Sequence, residues 1–255
     1  MKKKKLLLPI LLIAPAFLAS QVAADEQTAP ETSLEVAPAS TNTTDAASPS
    51  STETSPATSE GATESSAELP EANIIHTNDV HGRIVEEKGV IGDAKLAAVI
   101  DEERAKNPST LVVDAGDAFQ GLPISNSSKG EERAKILNEI GYDAMAVGNH
   151  EFDFGLDEAK KYKEILNFPL LSSNTYINGA RLFEASTIVD KDKNVVGDEF
   201  VVIGVTTPET ATKTHPKNVQ GVTFTDPISE VNKVIDEIEA RATAEGKTYK
   251  NYVVL

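Results

Sequence analysis

The chain has 255 residues, no cysteine and a formal net charge of −16. The lack of cysteine excludes disulfides, thiolate metal ligands and a cysteine-linked lipid anchor, so any metal must be held by His, Asp, Glu or Asn, donors suited to divalent ions of borderline or hard character. The charge excludes a basic face for a nucleic-acid backbone, since residues 73–255 alone set 20 basic against 30 acidic side chains.

Taken in order, Lys2 to Lys5 form a basic cluster, Leu6 to Leu18 are almost wholly apolar, and Val22 and Ala24 place small residues before a cut ahead of Asp25. That layout predicts a signal peptide over residues 1–24 and an exported protein that is secreted or held at a cell surface. The apolar run falls short of the ~20 residues that span a bilayer, so no membrane span is expected. Residues 25–72 hold ten acidic and no basic side chains among Ser, Thr, Ala and Pro. Such a segment buries too little surface to offset its ordering entropy, and reads as a disordered acidic spacer.

At Asn73 apolar runs begin to alternate with amphipathic stretches. Strands are expected at Ile74 to Thr77 (buried), Leu111 to Asp114, Ala144 to Val147 and Pro169 to Ser172. Helices are expected at Asp93 to Lys106, with Leu96, Val99 and Ile100 on one face, at Glu131 to Ile140 and at Leu156 to Leu166. This alternation predicts an α/β fold with largely parallel strands. Ser186 to Asp190 and Glu199 to Thr206 read as a hairpin around a turn at Asp192 to Asn194. Asp226 to Ala244 reads as a long helix with Asp226 as N-cap and Pro227 in its first turn. Tyr252 to Leu255 begin a further strand, and a domain that stops in mid-strand reads as truncated.

Three of the strands break into short polar loops: Asn78-Asp79-Val80-His81-Gly82, Ala115-Gly116-Asp117-Ala118-Phe119-Gln120 and Gly148-Asn149-His150-Glu151-Phe152-Asp153. Ligands in open α/β sheets bind beyond the carboxyl ends of strands, so Asp79, His81, Asp117, Asn149, His150 and Asp153 are expected in one crevice. The residue types suit two metals. Asp79 and His81 can clasp one ion, Asp117 can bridge two, and Asn149 can offer a neutral oxygen to the second.

Asp79-Val80-His81-Gly82, Gly116-Asp117 with Gln120, and Gly148-Asn149-His150-Glu151 together resemble the opening motifs of the calcineurin-like metallophosphoesterases. His76-Thr77-Asn78-Asp79 and the extension to Asp153 narrow the resemblance to the 5′-nucleotidase branch, and Thr212 to Asn218 look like the surface 5′-nucleotidases of Gram-positive cocci. The resemblance covers residues 73–255. It implies a four-layer α/β/β/α sandwich, cut off at its C-terminal side and without the C-terminal nucleotide-binding domain. It implies Asp79, His81, Asp117 and Asn149 as ligands of two divalent ions, zinc or manganese. It implies His150 and Asp153 as the catalytic pair, with Asn149 and His150 against the substrate.

The expected activity is hydrolysis of extracellular 5′-nucleotides to nucleoside and phosphate by a metal-bridging hydroxide, with little turnover from this chain alone. The alternatives are a 2′,3′-cyclic-nucleotide phosphodiesterase or nucleotide-sugar hydrolase on the same scaffold, and a non-catalytic truncated surface protein. Of the remaining candidates, His76 is expected as a structural residue on a buried strand, His215 as an exposed loop residue and Arg83 in a surface salt bridge. Asp114 is expected beside the site, and Glu151 and Phe152 are expected to shape the third loop.

Overall fold

The computed structural model describes residues 72–195 and 197–255. The expected signal peptide and nearly all of the spacer lie outside them. Strands β1 (Ile74–Thr77), β2 (Leu111–Asp114), β3 (Ala144–Ala146) and β4 (Leu170–Leu171) pair in that order as a parallel sheet. Helices α1 (Asp93–Lys106), α2 (Pro123–Asn126), α3 (Glu131–Ile140) and α4 (Leu156–Ile165) fill the connections.

Side chains alternate across a strand, and that period assigns the layers. Val112 and Met145 point to one face, where they join Ile100, Leu137, Ala159 and Tyr162 of the helices. Leu111, Val113, Ala144 and Leu171 point to the other, against Phe200 and Val202. The latter two belong to a second sheet of β7 (Ser186–Val189), β8 (Phe200–Ile203) and β10 (Asn251–Val254), in the order β10-β8-β7. The alternate β8 residues Val201 and Ile203 face outward onto Val234 and Ile238 of α6 (Pro227–Ala244). Helices, sheet, sheet and helix therefore stack as an α/β/β/α sandwich.

The β7–β8 pair is the antiparallel hairpin expected from the sequence, with Ser186 opposite Ile203 and Val189 opposite Phe200. Asp226 caps α6 by accepting the Ser229 N–H at 2.8 Å. A small third sheet was not anticipated. In it β5 (Thr175–Ile177) lies between β6 (Ala180–Arg181) and β9 (Val222–Phe224). Its hairpin turns at Asn178-Gly179, both left-handed with φ of 51° and 79°, the conformation that favours Asn-Gly in tight hairpins. α5 (Thr210–Lys213) and a 3-10 turn at Pro216–Val219 lead into β9.

Two expectations are corrected. Val99 is 44% exposed, and the inner face of α1 is Leu96, Ala97 and Ile100; a step of three residues from Leu96 carries Val99 past the edge of the buried stripe. β1 is not buried either. It is a sheet edge, with Ile74 at 48% exposure and His76 exposed, because the described strands of the second sheet do not cover it.

Candidate metal centre

The loops after β1, β2 and β3 are stitched together by backbone bonds. The N–H groups of Asp79, His81 and Gly82 donate to the carbonyls of Gly116, Asp117 and Ala118 at 3.0–3.1 Å, continuing the pairing beyond the strand ends. Asp79, His81 and Asp117 adopt left-handed backbones with φ of 53°, 51° and 59°. That region is unfavourable for residues with a Cβ, so the surrounding bonds must enforce it. Gly116, at φ 104°, and Gly148 let the second and third loops touch: a Cβ on Gly148 would lie 2.3 Å from Asp117 Oδ1.

Glu151 locks this contact. Fully buried, its carboxylate accepts N–H bonds from Asp117 at 2.9 Å, Ala118 at 3.0 Å and Gly148 at 2.7 Å. Burial, and then the charge of Asp117, push its carboxyl up to about 8, while the amide donors pull the other way. Asp114 performs a similar task beneath the second loop. It accepts the Thr77 hydroxyl at 2.5 Å and the Gly116 N–H at 2.8 Å, and burial raises it to about 6.

The functional side chains meet above these supports. His81 Nδ1 lies 3.0 Å from the Gln120 carbonyl. A carbonyl only accepts, so Nδ1 carries the proton and Nε2 is left with its lone pair, 3.6 Å from Asp79 Oδ1. His150 is held likewise, its Nδ1 2.6 Å from Asp153 Oδ2. The two imidazoles stand edge to face with centroids 4.9 Å apart. Asp117 Oδ1 accepts the His150 backbone N–H at 2.8 Å. Ligand atoms of His81, Asp117 and His150 lie within 4.8 Å of one another. Asn149 is half-buried at the head of the 3-10 turn His150–Phe152.

A divalent cation suits this donor set. Burial raises the Asp117 carboxyl, and the charge of Asp79 adds to the effect. Among the described residues no Lys or Arg pairs with either carboxylate. Two acids and correctly tautomerised imidazoles without a basic partner form a site that a metal would complete. A cavity of about 430 Å³ between α1 and α3, lined by Ile84, Ala97 and Ile136, contains none of these groups.

All six residues singled out from the sequence therefore lie on the loops at one end of the first sheet. Two side readings fail. His76 is exposed on the edge strand, and Arg83 has no carboxylate partner among the described residues; its guanidinium lies 3.4 Å from the Val80 carbonyl. Three supports were missed. They are the Gln120 carbonyl behind His81, and Thr214 and Asn218 behind Asp153. The first is a backbone group, and the others lie 61 and 65 residues from their partner, so no local spacing signals them.

Two facing sheets between helices, with the polar loops gathered at the carboxyl edge of the parallel sheet, make up the metallophosphoesterase fold. The chain belongs to the calcineurin-like phosphoesterase family, which it matches over residues 72–254. It is 42% identical to a 5′-nucleotidase of Vibrio cholerae over 175 residues, 66% of this chain and 31% of that protein. Among solved structures it is similar to a 5′-nucleotidase precursor from Thermus thermophilus, with a TM-score of 0.58 and 31% identity over 72% of this chain and 36% of that one. A calcineurin-like phosphoesterase from Bacillus subtilis gives a TM-score of 0.60 and 26% identity over 72% of this chain and 60% of that one. The chain thus spans about a third of the length of the curated relatives it matches. No helix among the described residues is long and apolar enough to cross a membrane.

Proposed function

We propose that this chain carries the metal-binding portion of an exported enzyme that hydrolyses phosphate esters, 5′-nucleotides foremost, to nucleoside and phosphate. The observation that carries the reading is the meeting of three strand-end loops at Asp117, whose backbone carbonyl receives the His81 N–H while its side chain receives the His150 N–H. The nucleotide substrate is taken from the names of the relatives. Export rests on the Lys2 to Leu18 layout.

In this reading Asp79 and His81 would hold one ion, Asn149 a second, and Asp117 would serve both; zinc and manganese suit such a mixed nitrogen and oxygen set. Two divalent ions there would neutralise phosphoryl charge and lower the pKa of a bound water. The chain's own groups do the rest. Asn149 and His150 lie against the phosphate, and His150 offers Nε2 to the leaving-group oxygen, to hydrogen-bond or protonate it. Asp153 keeps the imidazole turned by holding Nδ1.

Among the described residues this reading gives the second ion only Asp117 and Asn149, so AMP turnover by the chain alone should fall far below the ordinary ~1–10³ s⁻¹. The division of roles is tested by elemental analysis of single variants. Asp117→Ala should lose its bound metal, and His150→Ala should keep it. The closeness of His150 to His81 and Asp117 favours one second reading, in which His150 is itself a ligand. Metal loss in His150→Ala equal to that in Asp117→Ala would establish that reading instead.

A further inference from the structure

The segment from Thr212 to Asn218 has no part in the reading above, yet it touches the centre through Asp153. The Thr214 hydroxyl donates to Asp153 Oδ1 at 2.7 Å, and the Asn218 side-chain amide donates to the Asp153 backbone carbonyl at 2.8 Å. The remaining carboxylate oxygen, Oδ2, faces His150 Nδ1 at 2.6 Å. Thr214 is 4% exposed, and Val219, which follows the segment and ends the 3-10 turn, is buried in the main core. Between them Pro216 opens the 3-10 turn, and His215 Nδ1 accepts the Lys217 N–H at 3.2 Å. This segment follows β8, so it reaches Asp153 from the second sheet.

We infer that Thr214 is a positioning residue for His150, acting through Asp153, with Asn218 holding the backbone beneath it. The inference rests on the reading of His150 as the group that serves the leaving oxygen. The physical reason is the symmetry of a carboxylate. A free aspartate can rotate and offer either oxygen, or turn both to water. A hydroxyl fixed on Oδ1 assigns Oδ2 to the imidazole, which then keeps its proton on Nδ1 and points Nε2 at the centre. The hydroxyl is required rather than the bulk of threonine, because the contact is a hydrogen bond at optimal length.

The test uses the 255-residue chain and needs no turnover. Long-range ¹H–¹⁵N NMR at mildly alkaline pH, where imidazoles are neutral, reads the tautomer of His150 and the exchange of its Nδ1 proton with water; His150→Gln assigns the signal. Wild type should show the Nδ1–H form with a slowly exchanging proton. Thr214→Val should speed that exchange about three- to tenfold, the scale of one hydrogen bond, and Thr214→Ser should restore the wild-type rate. Asn218→Ala should give a smaller change in the same direction, and supplies the measurement should Thr214→Val not fold. An unchanged proton in both Thr214→Val and Asn218→Ala, or a Thr214→Ser chain as fast as Thr214→Val, overturns the positioning role. A wild-type His150 without the Nδ1–H form would instead remove the premise that Asp153 orients it, which is a failure of the proposed function.

Discussion

The two sheets of the sandwich share one alternating pattern but end differently. β1 and β2 of the first sheet run into loops where Asp79, His81 and Asp117 hold left-handed backbones; around the second sheet, from Ser186 to Leu255, no described non-glycine residue does so. The first sheet's loops are held by hydrogen bonds to buried carboxylates, Glu151 taking three backbone N–H groups and Asp114 one. The second sheet is held by apolar packing, Val202 against the first sheet and Ile203 against α6. Left-handed strain is concentrated at the end where a ligand would repay it, with Lys129 and Asn178 the other described non-glycine residues of this kind.

If the two regions are separable, Glu151→Ala is the severest test. It orphans three amide donors at ~1–3 kcal/mol each, so a loss of about 4 kcal/mol is expected in urea unfolding, together with loss of metal binding. Ile203→Ala should cost about 3 kcal/mol by opening a cavity against α6, yet leave the metal content of the folded chain unchanged. Equal metal loss in both variants would break the distinction between the regions.

The buried acids also give the site end a pH response. Asp114 is raised from 3.8 to about 6 by burial, so between those values the folded chain holds a proton that the unfolded chain has released. Its contribution is complete below pH about 4 and is lost as pH rises through about 6, about 3 kcal/mol in all for the metal-free chain. Glu151, raised from 4.5 to about 8, acts in the same direction over a window that overlaps this one and extends above it. Urea midpoints that fall less steeply between pH about 4 and 6 in Asp114→Asn than in wild type, leaving the slope of Glu151, check the assignment. The smallest effect sharpens the facing of α1: Val99→Ala should stay within about 0.5 kcal/mol, whereas Ile100→Ala should cost about 2–5 kcal/mol in the same assay.

Much of the sandwich was legible because its signals are short. The runs at Leu111 to Asp114 and Phe200 to Ile203 declare strands in four residues, and Asp226-Pro227 declares a helix start in two. The Asn178-Gly179 hairpin was equally declared and went unread, since its flanking strands are only three and two residues long. The three polar loops could be ordered into one crevice from the strand-end rule alone, without any distance.

What the sequence by itself determined was therefore local: the period that makes each strand or helix, and the donor types at Asp79, His81, Asp117, Asn149 and His150. The tertiary structure decided which faces those elements lost to solvent. It left β1 as an exposed edge, turned Val99 outward and buried Glu151 under three amides. It alone brought Thr214 across 61 residues to Asp153. The physical reason is that periodicity and residue chemistry act within a turn or a strand. Burial and long-range hydrogen bonds exist only once the chain has closed on itself, and a side chain's partner across the fold leaves no mark on the residues beside it.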